Sequence, residues 1–302
     1  LWLVLGAVFL VALVRLCARV ALSEALNRHQ GSAAETEKPD SADRAARGRL
    51  EAALGRVMPV DLSHLVAHDL RTYLRTPQVL LGLLTSLPVV LILTRDQQPG
   101  GIDIMPFMMA FTALITAVSL SSNQFGLDQA GVRLLFLLPI SSRRLIVSKN
   151  ISCAMVSASA FVACLTAGAA LGRLSWMGAA SSIVTLGAAM PVILAFGNRL
   201  SVRSPWRMTF RMGGAPPGAV VSGFAQMTAM GAVAVLLAPG LFVLPMVYGH
   251  KLWVQLASLW ITGTIAALLW TAWALLLPRA ARALETRRES IIDRLAHANE
   301  TG

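Results

Sequence analysis

Long apolar runs separated by short polar intervals set the pattern of this chain. They fall at about 78–94, 104–122, 150–172, 176–197, 223–247 and 252–277, with one more, LWLVLGAVFLVALV, at the start. Each of the six is near the ~20 residues that a helix needs to cross ~30 Å of hydrocarbon. In lipid the backbone must satisfy its own hydrogen bonds, which leaves helices or closed barrels, and these runs lack the alternation of barrel strands. The pattern predicts an all-α fold, a polytopic membrane helix bundle of six transmembrane helices plus one preceding span.

The leading span occupies 1–22, with Arg15 and Arg19 at its inner end. A signal peptide would carry its charge before the apolar run and a cleavage site after it. The charge order here is reversed, so the segment reads as a span running from outside to inside. The chain opens on Leu1, already apolar, which reads as a piece cut from a longer protein; a complete protein with an unusual start is the alternative. Residues 23–60 turn polar, with SAAETEKPDSADRAARGR too poor in apolar residues to bury a face. They read as a flexible cytoplasmic linker, either a plain tether or a regulatory segment. The remainder, 61–302, forms the six-span domain with a cytoplasmic C-terminal tail.

Just before the first long run, Leu62, Leu65, Val66, Leu70, Tyr73 and Leu74 recur at spacings of three and four, with Asp69, Arg71 and Arg75 elsewhere on the wheel. This predicts an amphipathic helix leading into the membrane, its basic residues near headgroups. His64 and His68 stand at i and i+4, but with no third histidine or cysteine beside them no metal site is expected.

Composition agrees with the pattern. The chain is 56% hydrophobic and 14% charged, with a mean hydropathy of +0.65, whereas soluble domains carry about 25% charged residues. A net charge of +11 raises the question of nucleic acid. The basic residues, however, sit in short intervals between apolar runs and not on a separable face, so positive-inside topology is the better account and no nucleic-acid partner is expected. With Gln78 starting inside, the inner intervals hold Arg133, Arg143, Arg144, Lys149, Arg199, Arg203, Arg207 and Arg211, and the tail adds five more arginines. The outer ones hold Arg95, Arg173 and Lys251. Both ends of the six-span unit, the linker, and the 123–149 and 198–222 loops are therefore expected in the cytoplasm, with the chain multi-pass in the cell membrane. All three cysteines, Cys17, Cys153 and Cys164, lie in apolar runs. Cys153 and Cys164 stand about 16 Å apart along one helix, too far to bridge, so no disulfide framework is implied.

One polar interval has internal organisation: Asn123 to Asn150, NQFGLDQAGVRLLFLLPISSRRLIVSKN. Gly126 and Gly131 punctuate its start, Leu134 to Leu138 are continuously apolar, and Pro139 with Ser141 and Ser142 breaks again. A solvated loop gains nothing from five consecutive apolar residues, whereas a helix tucked under the bundle or gripped by a partner does. The order N-x-F-G-x-D, a basic residue, L-x-P-x-S-x-R and K-N resembles the loop between the second and third spans of ATP-binding-cassette exporter permeases of the type-2 class. HDLRTYLRTPQ, with Arg71, Arg75 and Pro77, resembles the amphipathic helix that precedes the first span in that family. The resemblance covers roughly Asp61 to Arg282 in arrangement and these two motifs in residues. It implies a cytoplasmic coupling helix that docks on a separate ATPase subunit, with Asn123, Phe125, Gly126, Asp128, Arg133, Leu134, Leu135, Pro139, Arg143, Arg144 and Lys149 as the docking element. It also implies a second permease half or subunit in the bilayer, and ATP and magnesium in the partner ATPase, with no cofactor in this chain.

In the third of the six runs, Ala160, Cys164, Gly168 and Gly172 repeat every four residues, a smooth stripe that lets another helix approach closely, inside the subunit or between subunits. Pro191, Pro239 and Pro245 interrupt later runs and are expected to kink them, and PGLFVLPMVYGH, from Pro239 to His250, reads as a broken or re-entrant element, the resemblance implying short re-entrant helices in that region. From Ile104 to Leu277 the one acidic residue is Asp128, against an ion-coupled transporter that keeps carboxylates in its spans. There is no phosphate-binding G-x-x-x-x-G-K-[ST], no H-E-x-x-H and no G-x-S-x-G, so catalysis by this chain is not expected. Two functions stand: a permease subunit of an ATP-driven exporter, or a non-transporting membrane scaffold or assembly protein for which the loop is a topological anchor. An enzyme acting on lipid is a third.

Overall fold

The structure, a computed structural model, describes residues 48, 50–76, 105–128, 131–172, 174–206, 217–239 and 251–297. Every element among them is a helix: α1 Val60–Arg75, α2 Met105–Ser121, α3 Gln124–Asp128, α4 Val132–Leu137, α5 Ser142–Ala170, α6 Trp176–Arg203, α7 Pro217–Ala238 and α8 Leu252–His297. Three of these, α5, α6 and the apolar part of α8, are long and apolar enough to cross a membrane, while the apolar helices Phe107–Ser121 and Met227–Ala238 are shorter. The described residues are thus all-helical, and the three apolar helices are those of a membrane-associated protein. The leading span at 1–22, the linker up to residue 47, Pro77, the run at 78–94 and the segment from residue 240 to His250 lie outside the described residues.

α6 is the centre of the bundle, packed against α2 on one side and α8 on another, with α5 joining α1 to α2. Small residues make these approaches possible. A Cβ on Gly197 of α6 would run into Ser121 of α2, and Cys164 Sγ lies 3.3 Å from Thr112 Oγ1 where α5 meets α2. Ala160, Cys164 and Gly168 are all buried, and Cys164 shares a cluster with Met109, Ala110 and Ala113 of α2. This part of the stripe packs within the chain. Gly172 is not on it: it follows the end of α5 at φ +67°, the left-handed conformation that glycine adopts freely and that terminates helices.

Helix ends depart from the expected run ends: α6 continues to Arg203 and α7 starts at Pro217, so part of the expected 198–222 loop is helical, and three further departures have local reasons. α5 starts at Ser142 and not near 150, because Pro139 ends the preceding segment and Ser141 caps the new helix, accepting from Arg144 N at 3.4 Å. Arg143, Arg144 and Lys149 are therefore helical, not loop residues. α8 continues through Pro278 to His297, where a tail was expected. Its extension carries Leu277, Ala281, Leu284, Ile291 and Leu295, all buried in one cluster with Phe125 and Val132. Finally, the end of the presumed linker is helical over 50–55, and Leu54 is buried against α1 with Leu50 and Met58 beside it. Glu51 pairs there with Arg71 at 2.6 Å, and that hydrogen bond holds its carboxyl below the ordinary range.

Candidate functional site

The interval from Asn123 to Asn150 divides into a buried frame and an exposed ridge. Asn123, fully buried, clasps the backbone of Trp206 beyond the end of α6, donating from Nδ2 to its carbonyl at 2.7 Å and accepting from its N–H at Oδ1 at 3.1 Å. Gly126 fits against this clasp. A Cβ at that position would overlap the Trp206 carbonyl and the Asn123 amide, so glycine is required here by close approach. Phe125 N–H donates to Ser201 Oγ of α6 at 3.1 Å, and Gln124 Nε2 to Asn150 Oδ1 of α5 at 3.1 Å. Three consecutive residues, Asn123 to Phe125, thus fasten α3 to α5 and to the end of α6.

Beside this clasp lies a buried charge cluster. Lys149 Nζ sits 2.6 Å from Asp69 Oδ1 and 2.6 Å from Asp128 Oδ2, with all three side chains essentially without water contact. Removing a charge from water is costly, and only close opposite charges with good hydrogen bonds offset it. The ammonium therefore ties α1, α3 and α5 together. Burial pushes the Asp128 carboxyl above the ordinary carboxylate range, against the pull of Lys149 and with the push of the Asp69 charge. His68, Asp69 and Asp128 place ligand atoms within 4.8 Å of one another, the spacing of a cation site. The Lys149 ammonium already holds both carboxylates, so the cation there is a side chain. The two α1 histidines turn apart, His64 Nδ1 to Glu51 at 3.3 Å and His68 Nδ1 to Asp69 at 3.5 Å.

The ridge is α4 and its flanks. Leu134 is 69% and Leu137 73% exposed, with Leu138 exposed beside them, while Val132 and Leu135 turn inward at 1% and 8%. Arg133, Pro139, Arg143 and Arg144 in the same segment are also exposed. Arg144 Nη1 reaches Asp61 of α1 at 3.3 Å, in a solvated pair of the kind that contributes little. α4 is braced from below: Phe136 packs on Phe125 with ring centroids 6.0 Å apart, and the Arg288 guanidinium of α8 lies 5.6 Å over the Phe136 ring. Arg288 also donates to Ser142 Oγ at 2.7 Å.

Of the residues expected to meet a partner, Arg133, Leu134, Pro139, Arg143 and Arg144 are at the surface. Asn123, Phe125, Gly126, Asp128, Leu135 and Lys149 are buried in the frame, because each satisfies a contact inside the fold. On the amphipathic helix, Arg75 is exposed and Arg71 engages Glu51. Sequence reasoning missed two contributors, Asp69 and the α8 extension with Arg288. No family model, curated protein or solved structure matches the chain.

Proposed function

We propose that this chain is the transmembrane permease subunit of an ATP-driven exporter, with a six-span bundle in the cell membrane and α4 as the element that docks on a separate ATPase. The observation that carries this reading is the ridge: a one-turn-and-a-half helix shows leucines to solvent, with Arg133, Arg143 and Arg144 exposed in the same segment, on a base that is fastened to α1, α5, α6 and α8. Exposed leucines on a floppy loop would move freely. On this base, a displacement of α4 is transmitted to the long helices, which is what a mechanical link requires. The loop motif's resemblance to type-2 exporter permeases points the same way. Apolar anchors in a partner groove supply affinity and rim charges supply register.

The test is copurification of an ATPase subunit with the full chain, read beside stimulation of its ATP hydrolysis. Leu134→Asp with Leu137→Asp is expected to abolish both, a loss of tenfold or more in affinity for a buried apolar anchor. Arg143→Ala is expected to weaken them less. Leu135 is the wrong probe, since a charge there disrupts the fold itself. If the double variant keeps both partner and stimulation, the ridge is not the docking element and the scaffold reading takes its place.

A further inference from the structure

α6 and α8 leave between them a cleft of about 450 Å³. The two helices run parallel here, as Trp270 Nε1 donates to the Gly187 carbonyl at 2.9 Å and Arg294 Nη1 to the Arg203 carbonyl at 3.0 Å. Along both, the cleft wall changes character in the same direction. Phe196, Trp273 and Leu276 come first, and Arg199, Arg203, Arg279 and Arg287 follow. Among the described residues no acidic side chain lines the cleft, and no carboxylate pairs with any of the four arginines. The Asn198 side chain, 3% exposed, is part of the wall, and its amide oxygen has no partner.

The geometry points to a site for one acidic phospholipid, its phosphate among the four arginines and the first segments of its acyl chains along Phe196, Trp273 and Leu276. Each half of the wall argues for a different half of that molecule. Four guanidinium groups with no carboxylate partner among the described residues attract a phosphate and bind it through paired N–H donors. The apolar half would be wasted on a soluble anion. The change from apolar to basic falls where the apolar runs of both helices end, the level at which a bilayer places its headgroups, and basic pockets between spanning helices suit anionic headgroups. A headgroup hydroxyl would supply the donor that the Asn198 oxygen lacks. The inference rests on membrane placement and is independent of an ATPase partner.

The experiment measures binding of phosphatidylglycerol and phosphatidylcholine carrying identical fluorescent tails to the detergent-solubilised full chain, at fixed salt. Phosphatidylglycerol is expected to bind roughly tenfold more tightly, given the attraction contributed by each arginine near a headgroup. Arg199→Gln with Arg279→Gln should bring the two lipids level, and Arg203→Gln with Arg287→Gln should do the same. All four arginines are exposed, so neither pair threatens the fold. Arg282→Gln, on the same helix but outside the cleft, should leave the preference intact. Equal binding of the two lipids to the unaltered chain would overturn the proposal, as would a preference that survives in both paired variants. Displacement of the lipid by inorganic phosphate alone would also overturn it, making the occupant a soluble anion.

Discussion

An ammonium without water must find its negative charge inside the fold, and Lys149 finds two. One cation between two carboxylates leaves a formal charge of −1, and burial, with the Asp69 charge nearby, raises the Asp128 carboxyl above the ordinary range. Because its folded value lies above its unfolded one, the folded state holds the carboxyl proton more tightly. The Asp128 contribution therefore favours folding below the ordinary carboxylate range and turns against it as pH rises through the folded value. Asp128→Asn removes that dependence, so the difference in Tm between the unaltered chain and the variant should move in the variant's favour from about pH 4 to pH 8. Movement the other way would show that Lys149 dominates Asp128. Lys149→Met is more severe at neutral pH, where it strands two buried carboxylates, and a loss of about 3–5 kcal/mol in thermal unfolding is expected. Adding Asp69→Asn and Asp128→Asn to it should recover part of the loss, which separates charge from packing.

At the scale of elements, α8 governs the ridge. Leu284 is fully buried in the cluster that also holds Phe125 and Val132, so Leu284→Ala is expected to cost about 2–5 kcal/mol by cavity formation. It should also expose the α4 segment to limited proteolysis; unchanged cleavage there would show that α4 stands without α8. The runs of α5, α6 and α8 were legible because lipid imposes length and apolarity together, and the α4 segment because five apolar residues in a polar interval are conspicuous. The α8 extension was hidden by its charge, although Leu277, Ala281, Leu284, Arg288, Ile291 and Leu295 recur at alternating intervals of four and three, a helical stripe with one arginine in it. Asp69 was assigned to the polar side of α1, yet it shares a face with Val66, Leu70 and Tyr73, and a carboxylate on an apolar face calls for a buried cation. What no spacing rule shows is which cation: Lys149 is eighty residues away, and only the packing of α1 on α5 brings them together. The clasp of the Asn123 side chain on Trp206 is likewise a long-range contact, and its Trp206 half is backbone, which leaves no trace in the sequence.

The whole molecule is polar from end to end. Phe125 on Ser201, Arg288 on Ser142 and Arg294 on Arg203 bring α3, the start of α5 and the ends of α6 and α8 to one end of the bundle. That end carries Arg143, Arg144, Arg199, Arg203 and the arginines of the α8 extension. The opposite end, where α5 turns into α6 through Gly172 and Ser175, has Trp176 exposed at 71%. α5 alone, at 29 residues, spans about 44 Å from one end to the other, enough to place the two ends on opposite sides of ~30 Å of hydrocarbon. Basic segments resist translocation, so the ridge end is expected in the cytoplasm. Cysteine scanning tests this in intact cells with a membrane-impermeant thiol reagent. Cys153 and Cys164 are buried and give little background, and Cys17 is replaced by Ser. A cysteine at Trp176 should label from outside, and one at Arg143 only after the membrane is opened. Labelling of the Arg143 site in closed cells would put α4 outside, where no ATP is available, and the coupling proposal would fall even if the fold stood unchanged.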